Sequence, residues 1–363
     1  MKKIVSVFLM LVMLLSFGSI AMAEDQEPVQ IGFIGWGYTD SLGASYQRYL
    51  DYLAPYCGWE VSYGQYTTSE DIISEAENLI QKGCDVIMTT IASASLMQIC
   101  ENNEVYLAQW GSPVNDAELK ATLEESPYWV GCSTVDDYAA GRAMVDALYE
   151  AGSRHIMAMA PAAGNSCHDL RWNGIHDAVA DYEDMEIVAE FRNAQLSVNG
   201  PGAIQNAIAM FPELDGIAVT GASSGTLEAV VQTLATEGKI GQINHATLDI
   251  QADTDFYLEE GSLTYIGGGQ YPEVAFLAIC CVNAVDGAIE LPVQIDSQFI
   301  NIVGADGYQD YITYIDAEGV FPWTGEEMQQ FVCRYNPDAT FQELYDTWNS
   351  YSLESVKERK GAA

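Results

Sequence analysis

Short apolar runs alternate with amphipathic stretches along most of this chain of 363 residues. In the first unit, an apolar run at 31–34 predicts a strand, Leu42, Tyr46 and Leu50 recur at helical spacing, and a second strand follows at 59–63. The same pattern predicts further strands at 85–89, 105–109, 155–160, 187–191, 216–220, 246–249 and 263–266. Such alternation is typical of parallel sheets with helices on both faces, so the sequence predicts an α/β fold.

The length of the chain and the interruptions of this pattern indicate two lobes. About 340 residues remain once an N-terminal leader is set aside, which is more than one hydrophobic core usually serves. The alternation weakens around 128–135 and at the glycine triplet 267–269, where the chain is expected to run extended between blocks. Successive glycines suit a hinge, and they suit a close approach of neighbouring backbone equally well. Both interpretations of the triplet stay open at this stage.

The first 23 residues have the pattern of a secretory signal peptide. Lys2 and Lys3 give a charged start, an apolar core follows at 4–15, and a small-x-small end lies at 21–23. The apolar core is shorter than the roughly 20 residues that span a bilayer, which favours cleavage after Ala23 over an uncleaved anchor. Two acidic residues follow instead of a cysteine, so lipid attachment at that point is not expected. We therefore expect export to the periplasm or the cell surface.

The charge of the chain argues against two classes of partner. Fifty-two acidic residues stand against 14 basic ones, giving a formal net charge of −38 at pH 7. A surface of this sign repels phosphate backbones and anionic lipid headgroups. Neither nucleic acid nor a membrane surface is therefore expected as a partner.

The cysteines and glycines give no sign of a metal or a cofactor. An even number of cysteines in an exported chain permits disulfides, but buried thiols are equally compatible with it. Neither a CxxC pair nor an HExxH motif occurs, and Cys167-His168 alone does not complete a zinc site. The glycines near the first strand do not have the GxGxxG spacing of dinucleotide sites. The eight cysteines are Cys57, Cys84, Cys100, Cys132, Cys167, Cys280, Cys281 and Cys333.

One motif raises the alternative of a secreted serine hydrolase. Residues 221–225 read Gly-Ala-Ser-Ser-Gly, which matches the GxSxG elbow and falls between a predicted strand and a predicted helix. A triad would also need an acid and a histidine, yet only His245 lies downstream of Ser223, with Glu228 and Glu237 between them. The favoured interpretation is that Ser223 and Ser224 cap the next helix, with donors facing a ligand, and that the chain is not an enzyme.

Aromatic and polar residues follow the predicted strands at their carboxyl ends, where open parallel sheets bind ligands. Aromatic faces can cover the apolar side of a sugar or heterocycle, while charged groups satisfy its polar rim. We expect the two tryptophans of the set to stack on a ligand rather than to fill a core. The predicted ligand-binding residues are Trp36, Tyr38, Asp40, Gln109, Trp110, Arg171, Ser223, Asp249 and Gln270.

Several segments together resemble the type I periplasmic binding proteins of the ribose and galactose kind, which share their core with lactose-repressor-like ligand domains. The resemblance spans nearly the whole chain after the leader, and it depends on the order and spacing of the segments rather than on any one of them. The segments are 29–34 (Val-Gln-Ile-Gly-Phe-Ile), 82–87 (Lys-Gly-Cys-Asp-Val-Ile), Val130-Gly131, Ala140-Gly141, 171–174 (Arg-Trp-Asn-Gly), 216–219 (Gly-Ile-Ala-Val), 247–249 (Thr-Leu-Asp) and 269–272 (Gly-Gln-Tyr-Pro).

The resemblance implies two Rossmann-like lobes joined by a hinge of three segments. It implies a first lobe at 29–132 and about 268–299, and a second lobe at 133–267 and about 300–345, with a tail at 346–363. Such a monomer would close on its ligand and deliver it to the membrane permease of an ABC importer.

The resemblance also implies a ligand site, in which Arg171, Asp249 and Gln270 contact the ligand. The family's sugar binders often carry an Asp-Arg pair where this chain has Gln109-Trp110, and an asparagine where it has Ser223. These departures put ribose in doubt, although a sugar remains the first expectation. A nucleoside or an autoinducer that feeds a sensor is the alternative ligand.

Overall fold

The computed structural model describes residues 26–223 and 225–361, so the predicted leader and Ser224 lie outside the described residues. The strands are β1 (Val29–Gly35), β2 (Trp59–Gln65), β3 (Val86–Thr89), β4 (Tyr106–Gln109), β5 (Trp129–Val135), β6 (His155–Ala160), β7 (Glu186–Arg192), β8 (Gly216–Val219), β9 (Asn244–Leu248), β10 (Tyr265–Gly268), β11 (Val293–Ser297) and β12 (Ile300–Val303). The longer helices are α1 (Ser41–Cys57), α2 (Ser69–Gln81), α3 (Ala94–Asn102), α4 (Ala117–Glu124), α5 (Asp137–Glu150), α6 (Ser166–Ala180), α7 (Leu196–Met210), α8 (Thr226–Thr236), α10 (Glu273–Val285), α11 (Gly304–Tyr314) and α13 (Phe341–Asn349). The shorter ones are α9 (Thr254–Glu259), α12 (Gly325–Gln329) and α14 (Leu353–Arg359).

The strands form two sheets of six, with the orders β11-β5-β4-β3-β1-β2 and β12-β10-β9-β8-β6-β7. Every pair in the first sheet is parallel, and in the second only β12 runs antiparallel to its neighbour β10. The predicted α/β class with two helix-flanked parallel sheets is therefore confirmed. Each sheet is the centre of one lobe.

Within the described residues the chain passes between the two sheets three times: after β5, after β10, and between β11 and β12. The glycine triplet lies at the second passage. A methyl group on Gly267 would lie 2.4 Å from Leu248 Cδ2, so a larger residue would have to displace this buried side chain. Gly269 has a φ of 73°, where the chain leaves β10 for α10. Gly267 thus supports the close-packing interpretation of the triplet, and the hinge interpretation stays a prediction.

The core of the first lobe is built around α10. Its sequence is apolar on all sides, and its residues from Glu273 to Ala284 are buried, because the helix packs against β1, β4, β5 and β11. The C-terminal helices extend this core: α12 contacts α1, and α13 contacts α10 and β11. Their packing favours assigning α12 and α13 to the first lobe, whereas the resemblance placed them with the second lobe and the tail. The exact limits of the lobes remain predictions.

All eight cysteines belong to the described residues, and all eight are free thiols in the structure. Six of them are buried, and burial raises the pKa of each of these thiols above its ordinary value.

Of the helices in the described part of the chain, none is long and apolar enough to cross a membrane.

Gly141 allows α5 and α6 to cross closely, and we expect Gly141→Ala to destabilise the protein. A methyl group there would lie 2.1 Å from the carbonyl oxygen of Arg171, so the helices must move apart, at a cost of about 1–3 kcal/mol. Gly202→Ala in α7 is the matched control, because its methyl group meets no described atom within 4 Å. The control should be neutral or more stable by up to about 1 kcal/mol in urea unfolding. Equal effects of the two substitutions would contradict this account.

Candidate functional site

A cleft of about 660 Å³ lies between the lobes, at the carboxyl ends of strands from both sheets. This is where open parallel sheets place ligands. Seven of the nine predicted residues line it: Trp36, Asp40, Trp110, Arg171, Ser223, Asp249 and Gln270. Their contact with a ligand remains a prediction.

Two of the predicted site residues, Tyr38 and Gln109, do not line the cleft. The Tyr38 hydroxyl lies 2.9 Å from the Phe33 carbonyl and 2.8 Å from the Gly64 carbonyl. Gln109 is buried, accepting from the Ala92 amide at 2.7 Å and donating to the carbonyl of the following loop. Both side chains use their polar atoms to hold loops of the first lobe in place.

Arg171, on α6, lies in a buried network of polar groups at the cleft. Its Nε donates to Asp137 Oδ1 at 2.8 Å, and one of its terminal nitrogens donates to the Thr220 carbonyl at 2.8 Å. The same terminal nitrogen lies 3.7 Å from Asp249 Oδ2. Arg171 is only 6 % exposed, and its guanidinium packs over the Phe299 ring, at 5.3 Å from its centroid. One positive charge is therefore shared between two carboxylates.

The charges of this network follow from burial and from its partners. Burial lowers the pKa of the Arg171 guanidinium, but Asp249 and Asp137 raise it more, so its pKa lies above the ordinary value. Burial raises the pKa of Asp137, and Arg171 opposes that effect. His168 also lines the cleft, and burial lowers its pKa to about 4, with a further contribution from Arg171. Arg171 is therefore charged, and the His168 ring is neutral at physiological pH.

Asp249 holds its carboxylate in the cleft on an unusual backbone. Its φ is 72°, in the left-handed region that few residues other than glycine adopt. Its amide donates to the Gly267 carbonyl at 2.8 Å, which fixes the turn at the end of β9. Backbone of this kind is concentrated at ligand sites, because the surrounding structure must hold it there.

Three aromatic rings form one wall of the cleft on the first lobe. Trp110 lies 5.4 Å from Trp36 and 4.9 Å from Tyr46, centroid to centroid, and stacks on Phe33 at 4.8 Å. Trp110 is only 1 % exposed, whereas Trp36 is 39 % exposed. Trp36 Nε1 donates to Asp40 Oδ2 at 2.8 Å, and Asp40 also accepts from the first turn of α1. Trp36 therefore offers the open aromatic face, and Trp110 belongs mainly to the core behind it.

We expect substitutions of the two tryptophans to separate stability from binding. Trp110→Ala removes a buried ring and should cost about 3–5 kcal/mol of unfolding free energy. Trp36→Ala removes a partly exposed ring and should cost no more than about 1 kcal/mol, while it weakens binding by about 0.5–1.5 kcal/mol. Urea unfolding and calorimetric titration measure the two effects. Trp36→Ala that unfolds readily but binds normally would contradict the assignment.

Glu273 and Tyr46 also line the cleft, although neither was among the predicted ligand-binding residues. The Tyr46 hydroxyl donates to Glu273 Oε1 at 3.0 Å, and both side chains are buried. Burial raises the pKa of Glu273 to about 8. Glu273 opens α10, where an acidic residue is favoured by the helix dipole alone, so its position gave no functional signal.

Ser223 lines the cleft, but the prediction that it caps α8 is wrong. The N-cap of α8 is Gly225, which has a φ of 74° and makes no side-chain cap hydrogen bond. Ser224, the other predicted cap, lies outside the described residues. His245, the histidine that a hydrolase would need, is buried in β9 and does not line the cleft. The downstream histidine on which the hydrolase alternative depends therefore lies outside the cleft that Ser223 lines.

Comparisons with known proteins find this fold in solved structures of solute-binding proteins. No protein-family model matches the sequence, and no curated protein matches it either. Solved structures do match. An ABC transporter periplasmic solute-binding protein from Actinobacillus succinogenes with bound D-allose has a TM-score of 0.67 at 18% identity, and the match covers 78% of this chain and 100% of that one.

Two further solved structures match the fold of this chain. A solute-binding protein from Burkholderia graminis in complex with D-arabinose has a TM-score of 0.64 at 17% identity, covering 81% of this chain and 100% of that one. A glucose-galactose binding protein from Geobacillus stearothermophilus has a TM-score of 0.62 at 15% identity, covering 77% and 98%. This chain therefore has the two-lobe α/β fold of type I periplasmic binding proteins, as the resemblance implied.

Proposed function

We propose that this protein is an extracytoplasmic solute-binding protein that holds one small polar ligand between its lobes. The ligand is of sugar size, and the protein performs no chemistry on it. It delivers the ligand to the membrane permease of an ABC importer. The predicted signal peptide, which lies outside the described residues, supports export.

The observation that carries this proposal is the position of buried polar atoms without partners. Trp110 Nε1 and Gln270 Oε1 are buried, and neither has a hydrogen-bond partner among the described residues. Both side chains line the cleft. A buried polar atom without a partner costs about 1–3 kcal/mol, so such atoms are rarely left unsatisfied without a reason. A polar ligand in the cleft supplies both the missing acceptor and the missing donor.

The cleft also has the composition of a polar-ligand site. Trp36 offers an aromatic face from the first lobe, and Arg171 and Asp249 offer charged groups from the second. A ligand that touches both lobes favours their closure, because it binds the closed form better than the open one. The compared solute-binding proteins carry D-allose and D-arabinose, which supports a sugar as the first ligand to test.

A thermal-shift screen of sugars, nucleosides and amino acids on the purified protein tests the proposal. A ligand present at about 100 times its Kd stabilises the fold by about 2.7 kcal/mol. The ligand should be recovered unchanged after long incubation, and a fluorophosphonate probe should not label Ser223. Turnover or labelling that disappears in Ser223→Ala would replace the proposal with the hydrolase alternative.

A further inference from the structure

Acidic side chains outnumber basic ones in the wall of the cleft. Asp40, Asp137, Asp249 and Glu273 all line it, and Arg171 is the only lysine or arginine among the described lining residues. His168 does not change the balance, because burial keeps its ring neutral at physiological pH.

The charge of Arg171 is already used within the protein. Its guanidinium donates to Asp137 at 2.8 Å and lies 3.7 Å from Asp249, so it has no surplus positive charge for an anionic ligand. The carboxyl groups of Asp40 and Glu273 have no cationic partner among the described residues. A neutral ligand would leave this imbalance in place, and an anionic ligand would increase it.

Two buried oxygen atoms at the cleft lack hydrogen-bond partners. Glu273 Oε2 and Gln270 Oε1 have no hydrogen-bond partner among the described residues. The Ser133 hydroxyl lies beside Glu273 and favours its charged form, yet it makes no hydrogen bond of good geometry with it. A Cβ atom on Gly111 would lie 3.8 Å from Glu273 Oε1, the oxygen that accepts the hydrogen bond from Tyr46. A side chain on Gly111 would therefore begin in van der Waals contact with Glu273, and glycine leaves that position free.

An aromatic face lies in the same wall. Trp36 is the most exposed large apolar residue of the cleft after Ile91, and its indole is oriented by Asp40. A cation over an indole face is attracted by the ring quadrupole, and a nearby carboxylate adds to that attraction.

We propose, on the basis of the proposed function, that the ligand carries a positively charged ammonium group and that Glu273 is the counter-ion of this group. A primary ammonium has three donors and one positive charge, which matches two buried oxygen atoms without hydrogen-bond partners and an excess of carboxyl groups. The apolar side of such a ligand lies against Trp36. Amino sugars and small amines belong to this class.

The groups around Glu273 determine how its ion pair with the ammonium of the ligand forms. Tyr46 on α1 donates to it, and the negative charge of Asp137 on α5 disfavours its ionisation. Burial has the largest effect and raises the pKa of Glu273 to about 8, so the free protein holds this carboxyl protonated at neutral pH. An arriving ammonium favours the carboxylate, and the proton leaves to solvent as the ion pair forms.

Matched pairs of probes test the proposal by thermal shift and calorimetry. The pairs are D-glucosamine with D-glucose, and putrescine with butanediol. At least one cationic member should bind roughly 10- to 100-fold more tightly than its neutral partner. Calorimetry of that member in two buffers of different ionisation enthalpy should show release of about one proton at neutral pH.

Glu273→Gln keeps the shape of the side chain and removes its charge. It should lower the affinity for the cationic member about tenfold or more and leave the neutral members unchanged. Glu326→Gln, at an exposed position of α12 away from the cleft, is the matched control and should bind as the wild type does. The proton count is measured on the wild type, so it stands even if a variant does not fold.

The outcomes distinguish this inference from the proposed function. Binding of D-allose or D-arabinose without any cationic preference would overturn the inference and leave solute binding intact. The absence of binding by every cationic probe would also overturn it. A cationic preference that Glu273→Gln does not change would remove Glu273 as the counter-ion.

Discussion

Replacement of Arg171 by methionine is expected to destabilise the protein by about 3–5 kcal/mol and to abolish ligand binding. The substitution leaves Asp137, which is buried, and Asp249 without the cation that they share. Removing one partner of a buried ion pair is costly because the remaining charge stays uncompensated. Urea unfolding of wild type and variant at neutral pH measures the loss of stability.

Arg142→Met is the matched control for this substitution. Arg142 pairs with Asp181 at the protein surface, where their side chains are 32 % and 64 % exposed, so its loss should cost at most about 1 kcal/mol. If Arg171→Met does not fold, Arg171→Lys is the second variant. It keeps the positive charge but loses the planar guanidinium, whose separate nitrogens donate to Asp137 and to Thr220. The lysine variant should be of intermediate stability and bind weakly. Wild-type affinity in either variant would remove Arg171 from the site.

Glu273 is expected to make the stability of the protein depend on pH. Its pKa is raised in the fold to about 8 from an ordinary value of 4.5, so the folded protein binds the proton more tightly than the unfolded chain does. Its contribution to stability is therefore fully present below about pH 4.5 and is lost as the pH rises through about 8. The loss approaches at most about 1.36 kcal/mol per pH unit within that window.

Glu273→Gln isolates this effect, because other groups also titrate. Burial lowers the pKa of His245 to about 4, so that residue contributes stability that is lost as the pH falls from 6.5 towards 4. The difference in unfolding free energy between wild type and Glu273→Gln cancels such contributions. We expect the wild type to lose stability relative to the variant between pH 5 and 8, with Glu326→Gln following the wild type. A difference that is constant with pH would show that Glu273 is not protonated in the fold.

The sequence was sufficient for most of the sheets because most strands are buried on both faces. Each strand predicted from a continuous apolar run overlaps a strand of the structure. The missed strands have a different pattern. In β11 and β12 buried and exposed residues alternate, because both lie at sheet edges, and their short runs did not stand out. β5 was expected only as an extended segment because Gly131, Ser133 and Thr134 interrupt its apolar residues.

The site was predictable where a residue lies within two positions after the end of a strand, and less so elsewhere. Trp36, Asp249 and Gln270 lie at the cleft because the carboxyl ends of parallel strands meet at one edge of each sheet. Gln109 does not line the cleft because it is still part of β4, as its last residue. Side chains of successive strand residues point alternately to the two faces of the sheet. Asp137 and Glu273 were missed because acids in the first turn of a helix have a sufficient local reason to be there.

The position of β11 has a consequence for the order in which the chain can fold during its synthesis. Five strands of the first sheet come from residues 29–135, but β11 pairs with β5 only after the parallel strands of the second sheet have been made. A nascent chain therefore cannot complete its first sheet until residue 297 has left the ribosome. Until then the edge of β5 is unpaired and α10, which covers it, is missing or newly made. An exposed parallel edge of this kind is prone to aggregation, so the early part of the chain depends on the late part for its protection.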